Sequence, residues 1–274
     1  MKRILVPTDF SKHAEEALKS AVQIAKKNGS EIFLLHLLEL PHQLHDAMTN
    51  GSSIPEVMLF IKKAHEKLQK IKEQPHLQGI TISTTVQFER AFDGILSFNK
   101  KNNIDLIVMG SSGSSGIEEM LIGSNTEKVV RRSDIPVLVV KKDLDTFNIK
   151  NIVFASDFTK EIKKPFLKMI EFANIFDANL ALVMICTPNS FKTTAIAEKT
   201  MKDFIADFEV KNYSINIYND SNIEKGIRNF TNTIGADLIG LCTHGRTGLS
   251  HFFNGSIGED LVNHSTKPVI TFKI

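Results

Sequence analysis

The sequence predicts an α/β protein of two tandem domains, each an open five-stranded parallel sheet flanked by helices. Three observations lead there. The chain repeats itself, its apolar segments are short and continuous, and the stretches between them suit helices. "KRILVPTDFSKHAEEAL" from Lys2 and "KNIVFASDFTKEIKKPF" from Lys150 share one order: a basic residue, an apolar run, then a small residue, a polar one, Asp, Phe and Ser/Thr. Asp9 falls opposite Asp157, and Phe10 opposite Phe158. Later, "DLIVMGSSGSSGIEEMLIGSNTEKVVRRSDIPVLVVK" matches "DLIGLCTHGRTGLSHFFNGSIGEDLVNHSTKPVITFK", setting Asp105, Gly113, Gly123, Ser124 and Pro136 opposite Asp237, Gly245, Gly255, Ser256 and Pro268. Matches in the same order at both ends mark a duplicated unit. The expected domains are 1–142 and 150–274, joined by a polar linker at 143–149 within "KDLDTFNI".

Each element follows from its pattern. In the first half "RILVP", "IFLLHLL", "TTVQF", "DLIVM" and "PVLVV" are the strands. Apolar runs without alternation are buried on both faces, as in a parallel sheet covered by helices. Between the first two, Ser11 to Lys27 sets Ala14, Ala17, Leu18, Val22 and Ala25 near one helical face, with Ser11 or Asp9 as its cap. The second half repeats the series as "NIVFA", "LALVMI", "SINIY", "DLIGL" and "PVITF". Its first helix carries Pro165, which is tolerated only in a first turn, so that helix should start late.

Composition narrows the class. The 274 residues suffice for two ordinary domains, and 42% hydrophobic with 23% charged residues is usual for a soluble globular protein. A formal charge of +2 gives no reason to expect nucleic acid or an anionic membrane as the main partner. Cys186 and Cys242 are too few for a disulfide framework, which suggests the reducing cytoplasm. The opening "MKRILVPTDF" is too short an apolar run for a signal peptide. No segment approaches the roughly 18 apolar residues of a membrane helix.

The stretch from Leu106 to Val130 holds four glycines and five serines between a strand and a helix. Ligands bind outside the carboxyl ends of strands in open α/β folds, at the switch point. A glycine loop there offers amide groups to an anion, and a helix starting at Ser124 or Asn125 adds free N–H groups and partial positive charge. The plain alternative is a surface connection. Asp9, at the end of the first strand, is by itself more often a cap than a contact. Together they suit a phosphate-bearing ligand, because those strand ends can be neighbours at the switch point.

"VPTDFS", with Gly110-x2-Gly113-x9-Gly123-Ser124 before "PVLVV", resembles the universal stress protein family, and the second half, with "THGRTGLSHFFNGS" before "PVITF", resembles it too. The resemblance covers nearly the whole chain. It implies a Rossmann-like fold of the adenine nucleotide alpha hydrolase type. Many members bind ATP and others do not. It further implies that Pro7, Thr8 and Asp9 hold adenine and ribose, that Leu37 packs on adenine, and that Gly110, Gly113, Gly123, Ser124 and Asn125 cradle the phosphates. The ligand is then ATP, with AMP or ADP as variants and Mg2+ accompanying ATP. In the second half Asp157, Ile185, Gly245, Gly255 and Ser256 occupy the matching places, with Arg246 a candidate phosphate contact or a solvated charge. Two departures stand out. Ser112 replaces the usual histidine, kept as His244, and Cys242 stands where the first glycine belongs. A side chain at 242 could block the ligand, or be harmless where φ is negative.

Family domains pair through their last strands, so "PVLVV" and "PVITF" should pair antiparallel and make the chain a pseudo-dimer; a further homodimer stays open. Cys242, His244 and His251 are weak evidence for a metal, and packing is the default for both cysteines. His36, inside "FLLHLL", suits a satisfied core position. Residues 39–56 could lid the first site or be an inconsequential insertion. No phosphate-loop NTPase pattern, G-x-S-x-G or H-E-x-x-H is present. The expectation is therefore an ATP-binding regulatory protein of the stress response, with slow hydrolysis at most and a regulatory protein partner of unknown identity. The rival is a scaffold module that binds no nucleotide, and a hydrolase or nucleotidyl transferase is disfavoured.

Overall fold

The computed structural model describes residues 1–39, 54–111, 122–141, 147–243 and 261–274. The first half runs β1 (Arg3–Pro7), α1 (Lys12–Asn28), β2 (Glu31–Leu38), α2 (Ile54–Lys72), β3 (Ile82–Phe88), α3 (Ala91–Asn102), β4 (Leu106–Gly110), α4 (Ser124–Arg132) and β5 (Val137–Val140). The second runs β6 (Asn151–Ala155), α5 (Lys163–Phe176), β7 (Asn179–Cys186), α6 (Thr194–Ile205), β8 (Tyr213–Asn219), α7 (Ile223–Thr233), β9 (Leu238–Thr243) and β10 (Val269–Lys273).

The continuously apolar strands lie side by side in one sheet of order β3-β2-β1-β4-β5-β10-β9-β6-β7-β8. Pairing is parallel within each half. At the seam, β5 and β10 pair antiparallel, Val139 facing Val269, Leu138 facing Ile270 and Val137 facing Thr271. Last strands thus cover one another's edges, as expected from "PVLVV" and "PVITF". The central strands β4, β5 and β9 are almost wholly buried, while β3 and β8 at the rims are half-buried, which is why they carry more polar residues.

Helix α1 is capped by Ser11, whose hydroxyl accepts the Ala14 N–H, and ends at Gly29 with φ +64°. Its buried stripe of Ala14, Ala17, Ala21 and Ala25 lets it lie close on the sheet. In the second half a 3-10 turn spans Lys160–Ile162 and α5 starts only at Lys163, so Pro165 sits in its first turn. Phe154, Phe158, Phe166, Phe204 and Phe208 form a ladder of rings there, with centroids 5.0–6.3 Å apart.

The connection is less polar than its composition suggests. Phe147 and Ile149 are buried, Phe147 packs on Phe176 at 5.7 Å, and its N–H donates to the Gln23 side chain. The end of "KDLDTFNI" is therefore a strap pinned between α1 and α5 rather than a solvated tether. Among the described residues no helix is long and apolar enough to cross a membrane.

Candidate functional site

The turn after β1 is built by its own side chains. The Thr8 N–H extends the ladder by donating to the Leu35 carbonyl at 2.8 Å. The Thr8 hydroxyl accepts the Phe10 N–H at 3.1 Å, and Asp9 Oδ1 accepts the Ser11 N–H at 2.9 Å. These bonds hold Phe10 at φ +66°, a left-handed conformation unusual for so bulky a residue. Its ring rests 4.3 Å from that of His36, with the Lys67 ammonium 4.8 Å from its centre. His36 Nδ1 donates to the Thr8 carbonyl at 2.7 Å, so the strand histidine is satisfied, and burial lowers its pKa. The second half builds the same turn: Ser156 accepts from Phe158, Asp157 accepts from Thr159, and Phe158 has φ +56°. Strained backbone conserved in both copies of a turn costs on the order of 1–3 kcal/mol and concentrates at functional positions.

The other wall comes from the end of β4. Ser111 accepts the Gly123 N–H at 2.7 Å, and the Thr126 hydroxyl donates to the Gly110 carbonyl at 3.0 Å. These contacts set the start of α4 beside the strand end. Gly123 is the cap residue and offers no capping side chain, so the first amides of α4 suit an anion.

Between the walls lies a cavity of about 300 Å³, at the small end of ligand pockets. It brings together Pro7, Thr8, Asp9, Leu37, Gly110, Gly123, Ser124 and Asn125, all named from sequence. Leu35, Ile95 and Met109 add an apolar floor, and Glu39 and Ala91 complete the rim. Glu39 Oε1 accepts the Ala91 N–H at 2.7 Å, tying the end of β2 to the start of α3. Gly94 matters for the same wall, since a Cβ there would lie 2.4 Å from Leu37 Cδ2. In the second half a Cβ on Gly226 would lie 2.6 Å from Ile185 Cγ2. Sequence reasoning missed Glu39 and both glycines. The signal was present in "GILSF" (94–98) and "GIRNF" (226–230), a repeated helical glycine with no turn to explain it.

Gly110 requires a different reason from the one its motif suggests. A Cβ there would lie 2.7 Å from the backbone of His13, so its missing side chain admits α1. Cys242, its counterpart, lies within β9, is fully buried, and does not have positive φ. Its side chain belongs to the core shared with Phe154 and Phe166, so neither a forbidden backbone angle nor a plugged ligand path follows from it. Burial pushes its thiol pKa far up, with the Asp157 charge adding to the rise. Ile185 is buried at the end of β7. Gly113, Gly245, Arg246, Gly255 and Ser256, with His244, His251, the phenylalanines of "FFNGS" and most of the 39–56 segment, lie outside the described residues.

Comparison with known proteins places this geometry. The model of the universal stress protein family matches residues 1–141 and 215–273. A universal stress protein of Methanocaldococcus jannaschii is 34% identical over 142 residues, covering 52% of this chain and 82% of that protein. A universal stress protein of Synechocystis is 22% identical over 296 residues, covering 100% of both chains. The crystal structure of a universal stress protein from Archaeoglobus fulgidus superposes with TM-score 0.76 at 22% identity, covering 99% of this chain and 98% of that one, and shows the shared fold.

Proposed function

The chain belongs to the universal stress protein family, and from that premise we propose that its first half binds an adenine nucleotide, ATP foremost, as a regulatory ligand in the stress response. One observation carries the proposal: the carboxylate of Asp9, the apolar side chain of Leu37 and the uncapped start of α4 face one cavity. Adenine would lie on Leu37 and Ile95, and Asp9 would accept from ribose or base hydroxyl and amine donors. The Ser124 hydroxyl and the amides of Ser124 and Asn125 would receive the phosphates. AMP and ADP satisfy the same base and ribose contacts. Among the described residues no cluster of three His, Cys, Asp or Glu side chains could hold a metal, so Mg2+ would arrive on the phosphates with water completing its shell. The second half, with Asp157 and Ile185 in the matching places, is a second candidate site on the same reasoning.

Mass spectrometry of the denatured purified chain should detect ATP, ADP or AMP carried through purification. Isothermal titration with ATP should give saturable heat, and Asp9→Ala should weaken binding about 10- to 100-fold, the usual range for a hydrogen bond to a charged group. No nucleotide in the preparation and no heat with any of the three would leave the scaffold role.

A further inference from the structure

The first-half site does not end with the first half. Ile122 directly precedes Gly123, and its N–H donates to Oδ1 of Asn263 at 2.9 Å. Asn263 belongs to the helical residues 261–264 of the second half. Two successive amides at the mouth of α4 are thus taken by different halves, Gly123 by the Ser111 carbonyl of its own and Ile122 by Asn263 of the other. Asn263 is itself held. Lys141, just past β5, donates through Nζ to the Val262 carbonyl and, at 3.3 Å, to that of Asn263. Leu261 and Val262 are buried in the core that also holds Val129 and Val130 of α4. The backbone that carries Asn263 is thereby anchored to the first half.

We propose that Asn263 is a positioning residue for the first-half site, its amide oxygen fixing the Ile122 N–H and so the backbone that enters the phosphate-facing start of α4. The proposal rests on the nucleotide-binding reading above. It makes the site a joint product of both halves: Lys141 reaches from the first half to clamp the second, and Asn263 reaches back to shape the first. The lysine clamp suits this task, since an ammonium on the last carbonyls of a helical turn satisfies groups that have no partner within the turn.

The test uses the full chain. Asn263→Ala removes the acceptor, and ATP affinity by isothermal titration should fall about five- to tenfold, the loss expected for one hydrogen bond. Asn263→Asp keeps an acceptor and should stay within about twofold of wild type. Hydrogen exchange at the Ile122 amide, read without nucleotide, should quicken in the alanine variant and not in the aspartate variant. A bystander at this position would move neither reading. Equal ATP affinity in wild type and Asn263→Ala, or equal loss in the alanine and aspartate variants, overturns the positioning role while leaving nucleotide binding intact. A wild-type chain that binds no ATP, ADP or AMP brings down the nucleotide reading and this role together.

Discussion

The two halves share a sheet order and a turn, yet they bring their first helix to the sheet differently. In the first, α1 starts at Lys12, immediately after the Asp9 turn, and its backbone at His13 presses on Gly110. In the second, a 3-10 turn precedes α5, Cys242 fills the place of Gly110, and the glycine appears two residues earlier as Gly240, where a Cβ would lie 2.7 Å from Met169 Sδ. The tight spot has slid along the strand, Val108-Met109-Gly110 becoming Gly240-Leu241-Cys242. The packing style changes with it, from an alanine stripe on α1 to stacked phenylalanines around α5. A motif glycine can therefore record where a helix lands rather than where a ligand sits, and its loss in one repeat does not by itself silence that repeat.

The largest contrast should come from the paired phenylalanines. Phe158 is buried among Phe154 and Phe204, whereas Phe10 is partly exposed against His36. Phe158→Ala should destabilise by about 3–4 kcal/mol and Phe10→Ala by about 1 kcal/mol in chemical denaturation, and equal losses would break the claim that the two cores differ. Next, Gly110→Cys, which copies the second half into the first, should cost about 2–3 kcal/mol by overpacking, against about 1 kcal/mol for Cys242→Ala. Tolerance of Gly110→Cys would mean that α1 can retreat. Gly94→Ala sharpens the comparison at the site. Leu37 can yield and alanine favours helix, so melting should barely move, while the displaced Leu37 should weaken ATP binding several-fold; Gly226→Ala should leave first-half binding untouched.

A further effect is one of pH. Burial pushes the Lys141 ammonium down from 10.5 to about 8. Between those values the unfolded chain holds more protons than the folded one, so stability should rise with pH across that window and stay flat in this respect below it. A melting series from pH 7 to 10 should show the rise, and Lys141→Met should flatten it.

Much of the architecture could be read from the residues, because duplication and uninterrupted apolar strands are properties of the chain itself. Pro165 announced a late helix, and the family resemblance, applied to "PVLVV" and "PVITF", implied the seam. Asp9 and the start of α4 could be placed at one switch point because strand ends and a helix start converge there, while Leu37 came from the family resemblance. What escaped depends on distances between elements. Nothing local says that Phe10 and Phe158 take left-handed backbone, that Gly94 clears room for Leu37, or that Phe147 is packed away. The bond from Ile122 to Asn263 spans 141 positions in sequence, and no periodicity reports it.

The antiparallel seam has a consequence for divergence. Were two separate copies to meet there, every change at Val137 would appear twice at the junction, once on each side. Within one polypeptide Val137 faces Thr271 and the Thr271 hydroxyl donates to the Val137 carbonyl at 3.4 Å, a match with no need to be its own mirror image. Tethering also makes the encounter of the halves independent of protein concentration, so each is free to specialise without risking its mate.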